Sequence, residues 1–190
     1  AKPPDNRTPY DLVLKGREHH RKAGVDKEHA EQAVKLFEQA IEVDPNYARA
    51  YAWRACSLSW NGDWFPERYK PGEVFEICTQ SVSKALELDP NDHEAHRIMG
   101  SISLENRDYE KARLHHARAV KLCPSDAYIL GKNAATLIYY GEPEEALESV
   151  QKAVRINPFC PDDLLLDEGL CHYWMGNYRE AIESFQKIKL

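Results

Sequence analysis

NDHEAHRIMGSISLENRDYEKARLHHARAVKLCP, residues 91–124, runs directly into SDAYILGKNAATLIYYGEPEEALESVQKAVRINP, residues 125–158, and the two lines are one 34-residue pattern written twice. Gly100, Tyr109, Ala112, Ala119 and Pro124 in the first copy stand where Ala134, Pro143, Ala146, Ala153 and Pro158 stand in the second. A fixed period in the thirties, with small residues recurring where helices would cross, marks stacked helix pairs, because a single pair cannot bury its apolar face alone. The crossing positions Gly100, Ala112, Ala134, Ala146, Gly169 and Ala181 are therefore assigned to packing.

Working outward, the prolines that close each copy extend to Pro45, Pro90, Pro124 and Pro158, separated by 45, 34 and 34 residues. The first gap carries an insertion of 11 residues. Thr8 as N-cap and Pro9 at the first position open a helix over about 9–23, and its partner runs from about Lys27 to Val43. The next pair starts at Ala48, stops near Asn61-Gly62 and resumes over about Pro71 to Leu88. Asp126, Gly141 and Pro143 serve the fourth pair as cap, stop and restart. Leu165, Gly169, Tyr178, Ala181, Phe185 and Ile188 keep the pattern from Asp162 to Leu190. The expected layout is a leader at 1–8 and one array at 9–190, with repeats at about 9–45, 46–90, 91–124, 125–158 and 159–190.

These positions resemble the tetratricopeptide repeat family. The resemblance implies an all-α, right-handed superhelical solenoid of about five helix pairs, with the insertion in the second. It also implies that the first helix of each pair lines a concave groove. Carried over position by position, the groove residues are Tyr10, Arg17, His20 and Arg21, then Arg49, Cys56, Ser59 and Trp60. The third pair adds Glu94, Arg97, Ser101 and Glu105, the fourth Tyr128, Ala135, Ile138 and Tyr139, and the fifth Leu166, Leu170, Tyr173 and Trp174. Such a groove is basic toward its start and aromatic toward its end, which suits a peptide with an acidic part and an apolar anchor. For Tyr173 and Trp174 packing against the neighbouring pair is an equal alternative. Relatives that clamp the acidic C-terminus of heat-shock chaperones use Lys and Asn where this chain has Val13 and Arg17, so that clamp is not expected.

The insertion, Asp63 to Lys70, holds Trp64, Phe65, Pro66 and Tyr69. Its aromatics either fold back over the helix pair as a lid or form an exposed contact surface. At the other end Phe185, Ile188 and Leu190 leave an apolar terminal pair: either the array continues in a longer chain, or the pair associates with another molecule and allows a homo-oligomer.

A formal net charge of −6 argues against a general nucleic-acid binder, which relies on surplus Lys and Arg. No stretch approaches the ~18 unbroken apolar residues of a membrane helix, and no charged start followed by an apolar core reads as a secretory signal. The five cysteines, at 56, 78, 123, 160 and 171, form no C-x-x-C and read as small buried hydrophobes in a reducing compartment, hence a cytoplasmic protein. Neither the His19-His20 and His115-His116 neighbours nor the His93/His96 pair completes a metal-ligand set, and His116 falls on a core-facing position. No phosphate loop or nucleophile elbow is present, so neither enzyme activity nor a cofactor is expected.

A narrower resemblance rests on Tyr10-Asp11-Leu12-Val13-Leu14-Lys15-Gly16, on the run from Phe37 to Tyr51, and on Ala85-Leu86-Glu87-Leu88-Asp89-Pro90. These are similar to the C-terminal repeat region of bacterial signalling proteins, including class III adenylate cyclases and winged-helix regulators. That resemblance implies a protein-binding regulatory or oligomerisation module; the alternative is a free-standing adaptor or co-chaperone-like binder.

Overall fold

The first four repeats end in the same way, and proline is the cause. Asp44, Asp89, Cys123 and Asn157 directly precede Pro45, Pro90, Pro124 and Pro158, and a following proline drives a residue out of the helical region. All four leave the helical region, with φ between −142° and −127°, and each donates its N–H to the carbonyl four residues back at 2.9–3.0 Å. The helix therefore finishes its last hydrogen bond and turns at one fixed point.

The computed structural model describes residues 8–24, 26–61, 68–70, 72–159 and 162–188. The expected leader before Thr8, the insertion residues Trp64, Phe65 and Pro66, Cys160, and Lys189-Leu190 lie outside the described residues. Among the described residues the chain is all helical, with ten helices and no strand. They are α1 (Pro9–Lys22), α2 (Lys27–Val43), α3 (Ala48–Asn61), α4 (Glu73–Leu88), α5 (His93–Glu105), α6 (Tyr109–Leu122), α7 (Ala127–Tyr140), α8 (Pro143–Ile156), α9 (Asp162–Trp174) and α10 (Tyr178–Phe185). They follow one another as the five expected pairs. Packing divides the chain into two compact units, one ending at Ile102 and one starting at Ser103, so the division falls inside α5.

In the first unit Thr8 and Asp11 form a reciprocal capping box at the start of α1: Asp11 N–H donates to Thr8 Oγ1 at 3.1 Å, and Thr8 N–H donates to Asp11 Oδ2 at 3.2 Å. Gly16 then brings α1 against α2 closely, because a Cβ on it would lie 2.5 Å from the Phe37 ring. Phe37, Val34 and Ala33 of α2 join Leu12 and Val13 of α1 and Trp53, Ala55 and Leu58 of α3 in one buried core. The fourth helix starts at Glu73 and not at the expected Pro71. Gly72, at φ +85°, turns the chain through the left-handed region, and the Glu73 carboxylate accepts from Lys70 N–H at 2.9 Å, fixing the start two residues later.

In the second unit Asp126 caps α7 as expected, accepting from the N–H groups of Tyr128 and Ile129 at 2.8 and 3.1 Å. Gly141 ends that helix at φ +95°. Ala134, Ala146, Ala153 and Ala181 are buried at the crossings. Gly169 leaves the space that the Phe185 ring occupies. His116 sits one turn after Ala112, in the place that Phe37 and Phe185 hold in the first and last repeats. It is fully buried, 2.7 Å from Thr136 Oγ1. Since that hydroxyl gives its own proton to the Lys132 carbonyl at 3.1 Å, His116 Nδ1 is the donor. Cys56, Cys78 and Cys171 are buried free thiols, whereas Cys123 is half-buried. No helix among the described residues is long and apolar enough to cross a membrane.

Candidate partner-binding surface

A helix face becomes a binding surface only with the side chains its own fold leaves unspent. In the first unit much of the charge is spent. Arg97, expected on the groove, is 2 % exposed: its Nε donates to Glu94 Oε2 at 2.7 Å, its terminal nitrogen approaches Cys56 Sγ at 3.6 Å, and its guanidinium lies 5.9 Å from the Trp53 ring centre. Arg49 Nε donates to Asp92 Oδ2 at 3.0 Å, and that carboxylate also caps α5 at Ala95 N–H. Arg17 lies over the same indole, 4.5 Å from its centre.

His20 completes this cluster. Its Nδ1 shares a hydrogen bond with Ser57 Oγ at 2.9 Å, and its Nε2 faces Cys56 Sγ at 3.8 Å. Burial and the nearby Arg97 charge push its pKa down to about 4, so it is neutral at pH 7. Of the candidates in this unit, Tyr10, Arg21 and Trp60 remain exposed. Arg97 does not share the surface with them, because its ion pair and its packing on Trp53 draw it inward. Cys56 is buried, and Ser59 Oγ turns back to donate to the Cys56 carbonyl at 3.0 Å.

The second unit brings more of the candidates together. Ile138 and Tyr139 from the end of α7 and Leu170 and Trp174 from α9 line one recess of about 510 Å³, with Gly141 and Pro143 at its edge. Tyr139 and Trp174 are 65 % and 64 % exposed there, an unusual amount of aromatic surface to leave in water. Tyr139 is braced from outside by the Tyr109 ring, stacked at 6.4 Å and nearly parallel. Tyr173 does not line this recess. It packs edge-on against Trp174 at 5.5 Å and Tyr178 of its own pair at 5.7 Å.

Two turns back along the same helices Tyr128 and Ala135 line a second, smaller recess of about 190 Å³. Its other walls are Gly131 and Lys132 of α7, Asn157, and Asp163, Leu164 and Asp167 of α9. A Cβ on Gly131 would meet Leu164 Cδ2 at 2.9 Å, so this glycine lets Leu164 close the floor. Asp167 is pushed up to about 6 by burial, against the pull of Lys132 and with the help of Asp163. Lys132, Asp163 and Asp167 are absent from the sequence-derived set, because they fall between the positions inherited from the repeat pattern. The available signal was the Asp163/Asp167 spacing of one helical turn, which stacks two carboxylates on one face. Leu166 is exposed and lines neither recess. Among the described residues no group of three His, Cys, Asp or Glu side chains could hold a metal ion.

Comparisons with known proteins agree with this architecture. Family models described as tetratricopeptide repeat match residues 23–47 and 80–127, so the chain carries tetratricopeptide repeats. It is 34 % identical over 97 residues to DnaJ homolog subfamily C member 7 of Mus musculus, covering 50 % of this chain and 19 % of that protein. It is 26 % identical over 155 residues to the transcriptional regulator HilA of Salmonella paratyphi A, covering 81 % of this chain and 27 % of that one. The chain thus spans 19 % and 27 % of the length of these two relatives. Among solved structures, Pseudomonas aeruginosa pilF superposes with a TM-score of 0.70 at 19 % identity, over 96 % of this chain and 77 % of that one. YrrB, described as a TPR protein with an unusual peptide-binding site, superposes with a TM-score of 0.63 at 18 % identity, over 93 % of this chain and 82 % of that one. At such identities the likeness establishes the fold.

Proposed function

We propose that this tetratricopeptide-repeat chain is a non-catalytic protein-interaction scaffold that holds a segment of a partner protein against α7 and α9, with an apolar anchor in the recess of Ile138, Tyr139, Leu170 and Trp174. The observation that carries this reading is the exposure of Tyr139 and Trp174 on the rim of a concave apolar site, where large rings commonly act as anchors for a partner's side chain. The five helix pairs of residues 9–190 are its repeats. Tyr10, Arg21 and Trp60 form a further exposed set on the first unit. The acidic net charge disfavours nucleic acid as a partner, and the reduced thiols fit a cytoplasmic location.

A bacterial regulatory or signalling protein is the context we favour for this module. The HilA match, which runs over 81 % of the chain, supports it. That support reaches the regulator context and not the adenylate cyclase one. The match to DnaJ homolog subfamily C member 7 favours a second reading, a co-chaperone-like adaptor. Against a carboxylate clamp in the first pair, Val13 is 3 % exposed and Arg17 is engaged by Trp53, so neither position offers a free cation to an acidic terminus. We also propose self-association through α9 and α10.

Panning a random dodecapeptide library against the chain tests the reading. Sequences sharing an aliphatic or aromatic residue should be enriched, and the Trp174→Ser and Ile138→Ser variants should lose them while keeping the helical circular dichroism of the parent. Enrichment that both variants retain would place the site elsewhere.

A further inference from the structure

The smaller recess has a charge imbalance that the fold leaves uncorrected. Lys132 is the cation of the site, and three carboxylates of the second unit share its field: Asp163 and Asp167 from α9 and Glu105 from the last turn of α5. Among the described residues none of these carboxylates forms a hydrogen bond or ion pair. Asp167 is half-buried, and a carboxylate held from water without a hydrogen-bond donor is held at a cost. Other buried or half-buried acids of the chain are answered: Asp92 by Arg49, Glu94 by Arg97, Glu142 by Arg113, and Glu168 by Ser184 and Lys187.

We infer that this recess is a subsite for the Lys or Arg side chain of a bound peptide, set three residues from the apolar anchor that occupies the neighbouring recess. The inference rests on the proposed peptide-binding function and supplies its partner chemistry. Size supports it first. A recess of about 190 Å³ is smaller than the ~300–1,000 Å³ of sites that take whole small molecules, and it matches one long side chain. The walls support it next: Leu164, Ala135 and Gly131 accept a methylene stem, and Asp163 and Asp167 accept from a guanidinium or ammonium, while the Tyr128 ring is already taken by the chain's own Lys132, whose Nζ lies 5.3 Å from its centre.

Spacing follows from helix geometry. Going from Gly131 and Lys132 to Ile138 and Tyr139 on α7 is seven residues, and Asp163 and Asp167 lie a similar distance from Leu170 and Trp174 on α9. Seven residues at about 1.5 Å each separate the recess centres by about 10 Å, which an extended peptide at about 3.3 Å per residue spans in about three residues. The partner motif is therefore a basic residue and a large apolar residue at positions i and i+3. This polarity is opposite to that expected for the groove from its arginines, and the reason is local: the inward-held Arg97 and the paired Arg49 belong to the first unit, while the second unit's face is acidic.

Fluorescein-labelled Gly/Ser-flanked peptides test the assignment by anisotropy at pH 7.5. One set carries Arg, Ala or Glu at the first position with Leu or Ala three residues on, and a second set moves Leu to the second or fifth following residue. Arg with Leu at i+3 should bind best. Ala for Arg should weaken binding about tenfold, Glu should weaken it further, and displaced Leu should match the loss of one anchor. In Asp163→Asn/Asp167→Asn the preference for Arg should vanish while the preference for Leu over Ala survives. If Leu peptides bind equally with Arg, Ala or Glu, the cation subsite is wrong and the peptide-binding reading stands. If none of the peptides binds, both fall.

Discussion

Arg107 holds a left-handed backbone conformation, φ +61°, at the turn between α5 and α6, where the next two repeats place Gly141 and Gly176 at φ +95° and +80°. For a side-chain-bearing residue that conformation costs about 1–2 kcal/mol, and the extra freedom of an unfolded glycine returns about 0.5–1 kcal/mol of it. Arg107→Gly should therefore stabilise the chain by about 0.5 kcal/mol, read as a higher urea midpoint at unchanged slope; a lower midpoint would mean that the arginine side chain earns its place through contacts.

Two titrations make opposite claims on stability. His20 has its pKa lowered from 6.5 to about 4, so the unfolded chain binds the proton first, and stability is lost as pH falls from 6.5 toward 4. The groups around it are Ser57, Cys56, Trp53, Arg97, Arg17 and Glu94. Asp167 has its pKa raised from 3.8 to about 6, so the folded chain binds the proton first, and stability is gained as pH falls through that window. Thermal melts of His20→Gln and Asp167→Asn from pH 7.5 to 4 separate the two. His20→Gln should flatten the acid-side decline. Asp167→Asn should raise the melting temperature at neutral pH and lose the gain near pH 4; a gain that persists unchanged there would point to a cause other than ionisation.

At the scale of the element, glycine decides how closely paired helices approach. Within an exposed helix, Gly→Ala normally stabilises by about 1 kcal/mol. At Gly16 the sign reverses, because the Phe37 ring occupies the space a methyl would need, and Gly169 stands in the same relation to Phe185. Gly16→Ala and Gly169→Ala should each destabilise by about 1–3 kcal/mol, as overpacked cores do. Phe37→Leu should recover part of the loss in the Gly16→Ala background while destabilising the parent, a coupling that a double-mutant cycle reads directly.

These same positions show what a sequence can declare. Proline spacing, the Thr8 and Asp126 caps and the small residues at crossings act within a few residues, so their consequences are written locally. Arg97 is different. Its surroundings, Trp53 and Cys56, come from the preceding repeat more than forty positions away. Pattern matching assigns a charged side chain at a groove position to the surface and has no means of seeing an indole beneath it. The acidic recess was hidden for the converse reason: Lys132, Asp163 and Asp167 occupy positions that the repeat pattern leaves free, and they matter only once α7 and α9 lie side by side.

For the whole molecule the remaining question is whether two chains meet. On α10, Tyr178 and Ile182 are 61 % and 56 % exposed, one turn apart on a single face. Self-association through this face predicts a weight-average mass, by light scattering over a dilution series, that rises toward twice the chain mass with concentration. Tyr178→Lys/Ile182→Lys should hold the mass at one chain throughout. Neither side chain lines the two recesses on α7 and α9, so the same variant should bind the Arg/Leu peptide with parental affinity. Loss of both properties together would place the peptide and the second copy on one surface, with Trp174 and Tyr173, which touches Tyr178, as the shared contact. A strict monomer at every concentration would remove self-association and leave the peptide face as the interaction surface of the second unit.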